Sequence, residues 1–91
     1  MLDIKVFGKQ DCDACKSTRE KIITFARRWG VEDKINLTFY DMETIDGLSE
    51  GAFRGAHQVP TTIIEKDGQE IARWDGKVPL SEEFKPILSS I

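Results

Sequence analysis

The sequence has little of what marks several large classes of protein. It has two cysteines, which lie too close together to staple a secreted disulfide-rich domain. No apolar run approaches the roughly 20 residues of a membrane-spanning helix. The first residues show no basic region followed by an apolar stretch, so we expect no signal peptide. The 13 Lys and Arg against 16 Asp and Glu give a net charge of −3, without the basic excess of nucleic-acid-binding proteins.

The composition that remains is that of a small folded protein. The chain has 91 residues, of which 40% are hydrophobic, and it contains no Pro/Gly/Ser-rich linker, internal repeat or low-complexity tract. We therefore predict that residues 1–91 form a single domain. We expect this domain to be cytoplasmic and monomeric, with no nucleic-acid or membrane partner.

Two periodicities occupy the first half of the chain. Apolar and polar residues alternate over residues 2–7, which predicts a short strand. Apolar residues then recur at steps of three and four, which predicts a helix from Cys12 to Trp29 with Gly30 as the C′ residue that stops it. Residues 36–41 are rich in strand-forming residues and predict a second strand.

Residues 42–58 give a weaker signal. Gly47, Gly51 and Gly55 recur every four positions, and a glycine inside a helix costs about 1 kcal/mol relative to alanine. We expect a short or weak helix here. Its glycines either pack closely on a neighbour or mark an irregular backbone.

The last third of the chain predicts a hairpin and a helix. Two strand-like runs, Thr61–Glu65 and Gln69–Trp74, flank the turn dipeptide Asp67-Gly68. Ser81 is a candidate N-cap for the last helix. Pro86 lacks a backbone donor, so this helix should be kinked or should begin nearer the proline.

The predicted order of elements is therefore β-α-β-α-β-β-α, which belongs to the α/β class. Two strands joined through a helix are expected to be parallel, and the two hairpin strands antiparallel. Helices on both faces of a sheet are a stable packing. We predict a four-stranded mixed sheet flanked by three helices.

The chemistry of the chain is concentrated in a Cys-x-x-Cys motif. Cys12 lies at the start of the first helix, where free backbone N–H groups and the helix dipole favour a thiolate. Lys9 and Lys16 also favour the thiolate, while two nearby aspartates oppose them, so we expect a modestly lowered pKa for Cys12. Cys15 lies one turn further along, on the core side. This asymmetry predicts that Cys12 attacks a substrate disulfide and that Cys15 resolves the mixed disulfide.

Zinc binding is the competing interpretation of this motif. A tetrahedral zinc site takes four ligands, usually from a second Cys or His pair. Only His57 is available in addition to Cys12 and Cys15. We therefore expect no metal site within one chain.

The segment Val59-Pro60-Thr61 lies just before the predicted hairpin. Together with a Cys-x-x-Cys motif after a first strand, it makes the chain resemble the thioredoxin superfamily over nearly its whole length. The resemblance implies a thioredoxin fold, a cis peptide bond before Pro60, and a Pro60 that faces the cysteines. It also implies that the neighbouring backbone pairs with the substrate's extended chain, so Val59, Pro60, Thr61 and Gly76 are candidate substrate-binding residues.

Within the superfamily the features are mixed. Lys9 matches a lysine that glutaredoxins use near glutathione, and it too is a candidate substrate-binding residue. The rest of the glutathione motif is not met, because Asp13-Ala14 replaces the usual Pro-Tyr and Trp74–Lys77 replaces a Gly-Gly followed by an acid. Val6 stands where thioredoxins have a buried acid under the cysteines.

The resemblance implies a small dithiol-disulfide oxidoreductase, glutaredoxin-like in length, that reduces protein disulfides in electron transport. It would need no bound cofactor and would receive electrons from a thioredoxin reductase or from glutathione. Two alternatives remain at this point. One is a glutathione-dependent glutaredoxin. The other is a metal- or iron–sulfur-binding module in which two chains each contribute Cys12 and Cys15.

Overall fold

A computed structural model describes residues 1–91. All seven predicted elements are present, with bounds that differ from the predictions by a few residues. A 3-10 turn at Glu32–Lys34, which the sequence analysis did not predict, leads into the second strand. The helices and strands are β1 (Leu2–Gly8), α1 (Asp13–Arg28), β2 (Ile35–Asp41), α2 (Ile45–Phe53), β3 (Thr61–Lys66), β4 (Gln69–Asp75) and α3 (Ser81–Ser89).

The four strands form one mixed sheet in the order β2-β1-β3-β4. β1 and β2 are parallel, while β1 pairs with β3, and β3 with β4, in antiparallel fashion. The predicted architecture is therefore confirmed. Because β1 and β2 are parallel, their carboxyl ends lie at the same edge of the sheet, where Met42 N–H donates to the Gly8 carbonyl at 2.8 Å.

Each face of the sheet has its own core. On one face, residues of α1 and α3 pack against β1, β3 and β4; the buried residues of this cluster are Leu2, Ile4, Val6, Ile22, Ile64, Trp74, Phe84 and Leu88. The other face carries a smaller cluster of Phe7, Ile63 and Ala56, the last of which follows α2. None of the helices is both long and apolar enough to span a membrane.

Two of the three regularly spaced glycines are places of close packing. Gly47 and Gly51 are buried in α2. A Cβ at Gly47 would overlap the Asp41 carbonyl oxygen, and one at Gly51 would lie 2.8 Å from Met42 Cε. Gly55 follows the helix and has a φ of 66°. The glycines therefore let α2 approach the end of β2, and only the third marks an irregular backbone.

The start of α3 corrects two expectations. The helix begins at Ser81 with Leu80 as its N-cap, so the prediction of Ser81 as N-cap is wrong. The Leu80 side chain has no acceptor; instead, Glu83 Oε1 accepts from the Leu80 N–H at 3.4 Å and ties the first turn together. A helix start near Pro86 is also wrong, since the proline lies inside α3. The carbonyl that loses its partner there belongs to Glu82, which is exposed to water.

A charged cluster joins the sheet to the end of α2. Glu65 on β3 accepts hydrogen bonds from Lys5 Nζ at 2.9 Å and from Arg54 Nε at 2.8 Å, and its side chain is only 12% exposed. Burial by itself would raise the pKa of Glu65, but the hydrogen bonds and charges of Arg54 and Lys5 outweigh burial and lower that pKa below its ordinary value. The ionised form of Glu65 therefore stabilises the fold.

We expect Glu65→Gln to lower the free energy of unfolding at pH 7 by about 1–3 kcal/mol. It leaves Lys5 without its carboxylate partner and removes one of the two carboxylates that pair with Arg54, the other being Glu50. The pKa of Glu65 is lower in the folded state than in the unfolded state. Its contribution is therefore complete above the unfolded value and is lost as pH falls through the folded value. Urea unfolding from pH 7 to about pH 3 should show the wild type and the variant converging in acid.

Glu70→Gln is the matched control for this experiment. Glu70 pairs with Arg73 at 2.9 Å, but its side chain is 44% exposed. Its loss should cost less than about 1 kcal/mol. A Glu65→Gln deficit that stays constant from neutral to acidic pH would contradict the assignment of the stabilisation to the ionised carboxylate.

Candidate active site

Cys12 lies at the junction between the β1 loop and α1. It is the N-cap of α1, with extended backbone, and its Sγ accepts a hydrogen bond from the Cys15 backbone N–H at 3.1 Å. Cys12 is partly exposed. A sulfur at this position faces the free N–H groups of the first helical turn, which stabilise negative charge on it. The local geometry thus agrees with the one predicted from the motif.

Cys15 lies one turn into α1 and is fully buried, with 0% exposure. It forms a disulfide with Cys12, and the two Cα atoms are 5.2 Å apart. A buried sulfur next to a partly exposed one allows only Cys12 to meet a bulky partner directly. The geometry therefore separates the two cysteines by access to solvent.

The sheet makes room for Cys15 at Gly8, the last residue of β1. A Cβ at Gly8 would lie 2.6 Å from Cys15 Sγ and 2.9 Å from Cys15 Cβ. Any side chain at this position would collide with the disulfide. Gly8 was not among the site residues predicted from the sequence. The signal that could have identified it is a glycine that ends a strand just before a reactive motif.

The loop that precedes β3 lies at the same edge of the sheet as Gly8 and the cysteine pair. The Val59–Pro60 peptide bond is cis, as the resemblance implied. Phe7 pairs with Thr61, the first residue of β3. Continuing this register by one residue brings Pro60, just before β3, opposite Gly8. Pro60 is buried. The cysteine pair and Pro60 therefore lie at one edge of the sheet.

The backbone around Pro60 is only partly used within the chain. The Gly76 N–H donates to the Pro60 carbonyl at 2.7 Å, and the Thr61 hydroxyl donates to the Gln58 carbonyl at 2.6 Å. Val59, in contrast, is 36% exposed and makes no hydrogen bond through its N–H or its carbonyl. Of these candidate residues, Val59 is the one whose backbone N–H and carbonyl are both free.

The remaining candidates differ in their surroundings. Lys9 is exposed and forms no ion pair, while its carbonyl accepts from the Cys12 N–H at 3.4 Å. His57 is exposed and close in sequence to the Pro60 loop. Val6 is fully buried in the main core. No group of three or more His, Cys, Asp or Glu side chains in the chain could hold a metal ion.

The structure is similar to solved thioredoxins over nearly its whole length. Thioredoxin 1 from the thermophilic eubacterium Thermosipho africanus TCF52B is 28% identical, with a TM-score of 0.74 over 97% of this chain and 92% of that chain. Thioredoxin-2 of the malaria parasite is 19% identical, with a TM-score of 0.79 over 100% and 84% of the two chains. Oxidised thioredoxin O2 from Arabidopsis thaliana is 14% identical, with a TM-score of 0.77 over 100% and 75%.

No protein-family model matches the sequence, and a comparison with curated proteins finds no significant match. The assignment therefore depends on the fold and on the cysteine pair. The four-stranded mixed sheet with its three helices is the thioredoxin fold, as predicted. With Cys12 and Cys15 joined at the start of α1 on that fold, the chain is a thioredoxin-like redoxin of the thiol-disulfide oxidoreductase class.

Proposed function

We propose that this redoxin reduces disulfides in other proteins, with Cys12 as the attacking thiol and Cys15 as the resolving thiol. The observation that carries the proposal is the difference in access between the two sulfurs. Cys12 is partly exposed at the helix N-cap, whereas Cys15 is fully buried behind it. Thiol-disulfide exchange needs one accessible thiolate and a second thiol within bonding distance of it.

The reaction balances through two exchanges. The Cys12 thiolate attacks one sulfur of the substrate disulfide, the substrate S–S bond breaks, and the first substrate sulfur leaves as a thiolate and takes up a proton. Cys15 then loses its proton and attacks Cys12 Sγ. The mixed disulfide breaks, the second substrate thiol is released, and the Cys12–Cys15 bond forms. Two electrons pass to the substrate, and no bound cofactor takes part.

An extended protein segment is the substrate class that the Pro60 loop supports. Val59 has a free backbone N–H and carbonyl, and an extended chain binds such groups by adding strand-like hydrogen bonds. Pro60 and Thr61 would hold this backbone beside Cys12. Gly76 would act indirectly in this arrangement, because its N–H already binds the Pro60 carbonyl.

For the electron donor we propose a flavin-dependent thioredoxin reductase, with glutathione as the alternative. Lys9 is exposed and unpaired, which leaves it free for an anionic ligand such as glutathione. The two other parts of the glutathione motif are absent at Asp13-Ala14 and at Asp75-Gly76. A reducing compartment such as the cytoplasm would supply the reductase, and we propose that the protein acts there as a monomer.

A coupled assay tests the function and its donor together. The protein should catalyse insulin reduction with NADPH and thioredoxin reductase, and more slowly with NADPH, glutathione and glutathione reductase. Absence of turnover with both donors would overturn the proposal. If the purified protein instead carried one zinc ion or one iron–sulfur centre per two chains, the latter with its characteristic absorbance, the metal-binding module would replace it.

The incomplete glutathione motif predicts weak activity on glutathione mixed disulfides. We expect Cys15→Ser, which retains the attacking thiol, to release glutathione from a glutathionylated peptide more slowly than the wild type reduces insulin. The measurement is glutathione release coupled to glutathione reductase. Efficient turnover by this variant would favour the glutaredoxin function instead.

A further inference from the structure

Thr62 on β3 carries a buried hydroxyl that has no hydrogen-bond partner. Three threonines, at positions 18, 61 and 62, are fully buried with 0% exposure. The hydroxyl of Thr18 donates to the Ala14 carbonyl at 2.8 Å, and that of Thr61 to the Gln58 carbonyl at 2.6 Å. Thr62 is the exception. An unpaired buried hydroxyl costs about 1–3 kcal/mol and calls for an explanation.

The register of the sheet brings Thr62 next to Cys15. Thr62 pairs directly with Val6 on β1, so their side chains share one face of the sheet. Gly8 is two residues beyond Val6 on the same strand and the same face. Cys15 Sγ lies over Gly8, 2.6 Å from the position of a Cβ there. Thr62 and Cys15 Sγ are therefore diagonal neighbours on that face.

No charged side chain of the sheet lies between them on this face. Lys5 points to the opposite face, where it binds Glu65. Asp41 pairs with Gly8 at the sheet edge, but its carboxylate accepts from the Glu43 N–H at 2.9 Å and from Gln10 Nε2 at 3.4 Å. On α1 and α3 the charged side chains are exposed except for Lys21, which is half-buried and donates to the Pro79 carbonyl at 2.6 Å. On β4, Arg73 and Asp75 lie on the opposite face.

We propose that the Thr62 hydroxyl donates a hydrogen bond to the sulfur of Cys15 in the dithiol state and so stabilises the thiolate that resolves the mixed disulfide. The inference rests on the proposed function. A sulfur bound in a disulfide is a weak acceptor, whereas a thiolate is a strong one. In the disulfide form the Thr62 hydroxyl makes no hydrogen bond to either sulfur. Breaking the S–S bond frees Cys15 Sγ to turn about its Cα–Cβ bond toward Thr62, where the thiolate gains the hydroxyl as a donor.

The proposed hydrogen bond leaves the stoichiometry of the thiol-disulfide exchange unchanged. Cys15 loses its proton, the thiolate accepts from Thr62 Oγ1, and the same thiolate then attacks Cys12 Sγ as the substrate thiol leaves. The proton passes to solvent or to the departing substrate sulfur. Because a hydrogen bond to the charged form favours ionisation, removing the hydroxyl should raise the pKa of the Cys15 thiol and slow the resolving step near neutral pH.

The two exchanges can be timed separately with Ellman's reagent. Reduced protein releases one thionitrobenzoate when Cys12 attacks the reagent and a second when Cys15 resolves the product. In Thr62→Val we expect the first release at the wild-type rate and the second about tenfold slower at pH 7. The pH midpoint of the second release should move upward. Thr62→Ser, which keeps the hydroxyl, should restore both the rate and the midpoint.

Each outcome of this experiment is informative. Absence of the first release in the wild type would overturn the proposed function itself. A normal first release with an unchanged second release and pH midpoint in Thr62→Val would overturn only the role of Thr62. Thr18→Val is the matched control: it removes an equally buried hydroxyl from α1 and should leave the pH midpoint unchanged.

The stability of the disulfide form provides a second readout. Since the Thr62 hydroxyl has no partner there, Thr62→Val should leave the free energy of unfolding of the oxidised protein unchanged or raise it. A large loss of stability, or failure to fold, would mean that the hydroxyl is already bonded in the disulfide form. That result would contradict the proposal.

Discussion

Replacing Cys12 with serine should reduce the rate of insulin reduction by dithiothreitol to the rate without the protein. Cys15→Ser should permit the first exchange and stop the reaction at the mixed disulfide. Cys12 is the partly exposed sulfur at the helix N-cap, so a serine there leaves no accessible thiolate to begin the exchange. Cys15 is fully buried, so its loss removes only the resolving thiol. Non-reducing gels and intact mass should show a mixed disulfide that accumulates on Cys15→Ser and is absent from Cys12→Ser.

Ser17→Ala is a suitable control for these variants. Ser17 is exposed on α1 and belongs to neither the cysteine pair nor the Pro60 loop, so the rate should be unchanged. The opposite pattern, with a trapped intermediate on Cys12→Ser and none on Cys15→Ser, would reverse the two roles.

The second large effect is expected at Gly8. In Gly8→Ala the new methyl group would lie 2.6 Å from Cys15 Sγ and 3.2 Å from Phe39 Cε2. Overpacking of this kind costs about 1–3 kcal/mol. The disulfide prevents Cys15 Sγ from rotating away, so the oxidised form should lose more stability than the reduced form. Chemical unfolding of both forms measures this difference, and titration against a dithiothreitol redox buffer should show a shift toward the dithiol.

Gly30→Ala separates this clash from a general effect of replacing glycine. Gly30 lies just beyond the C-cap of α1 with a φ of 64°, and nothing lies within 4 Å of the position a Cβ would take there. The substitution should cost about 1–2 kcal/mol from backbone strain alone and should affect both redox forms equally. Equal losses in both forms of Gly8→Ala would contradict the steric account.

The regular parts of the fold could be predicted because their sequence patterns are set by burial. The strand at residues 2–7 alternates because only one side of it faces the main core. The helix after Cys12 follows its apolar steps to Arg28, two residues before the predicted stop at Gly30. The start of α3 could not be predicted in the same way. Ser81 has a side chain suited to an N-cap, but Leu80 occupies that position. The Glu83 carboxylate accepts a hydrogen bond from the Leu80 N–H instead.

The placement of the candidate site was predicted at Cys12 and Cys15 from the motif and at the cis bond before Pro60 from the resemblance, while the roles of these residues stay predictions. It was missed where the function of a residue depends on what lies across the sheet. In the sequence Gly8 marks only the end of a strand, and the structure shows that Cys15 packs over it. Thr62 is an ordinary strand residue in the sequence, and the structure shows that its buried hydroxyl has no hydrogen-bond partner. Likewise, only the structure shows that Gly47 and Gly51 of α2 pack closely against Asp41 and Met42 at the end of β2.

The central claim is that Cys12 is the thiol that meets the substrate. Brief alkylation of the reduced, unmodified protein with limiting iodoacetamide near neutral pH tests it most directly, because the peptide from Gln10 to Lys16 contains both cysteines and its fragmentation locates the label. The difference in burial predicts modification at Cys12, with Cys15 protected until the protein is unfolded. Modification of Cys15 in the folded protein before Cys12 would contradict the account.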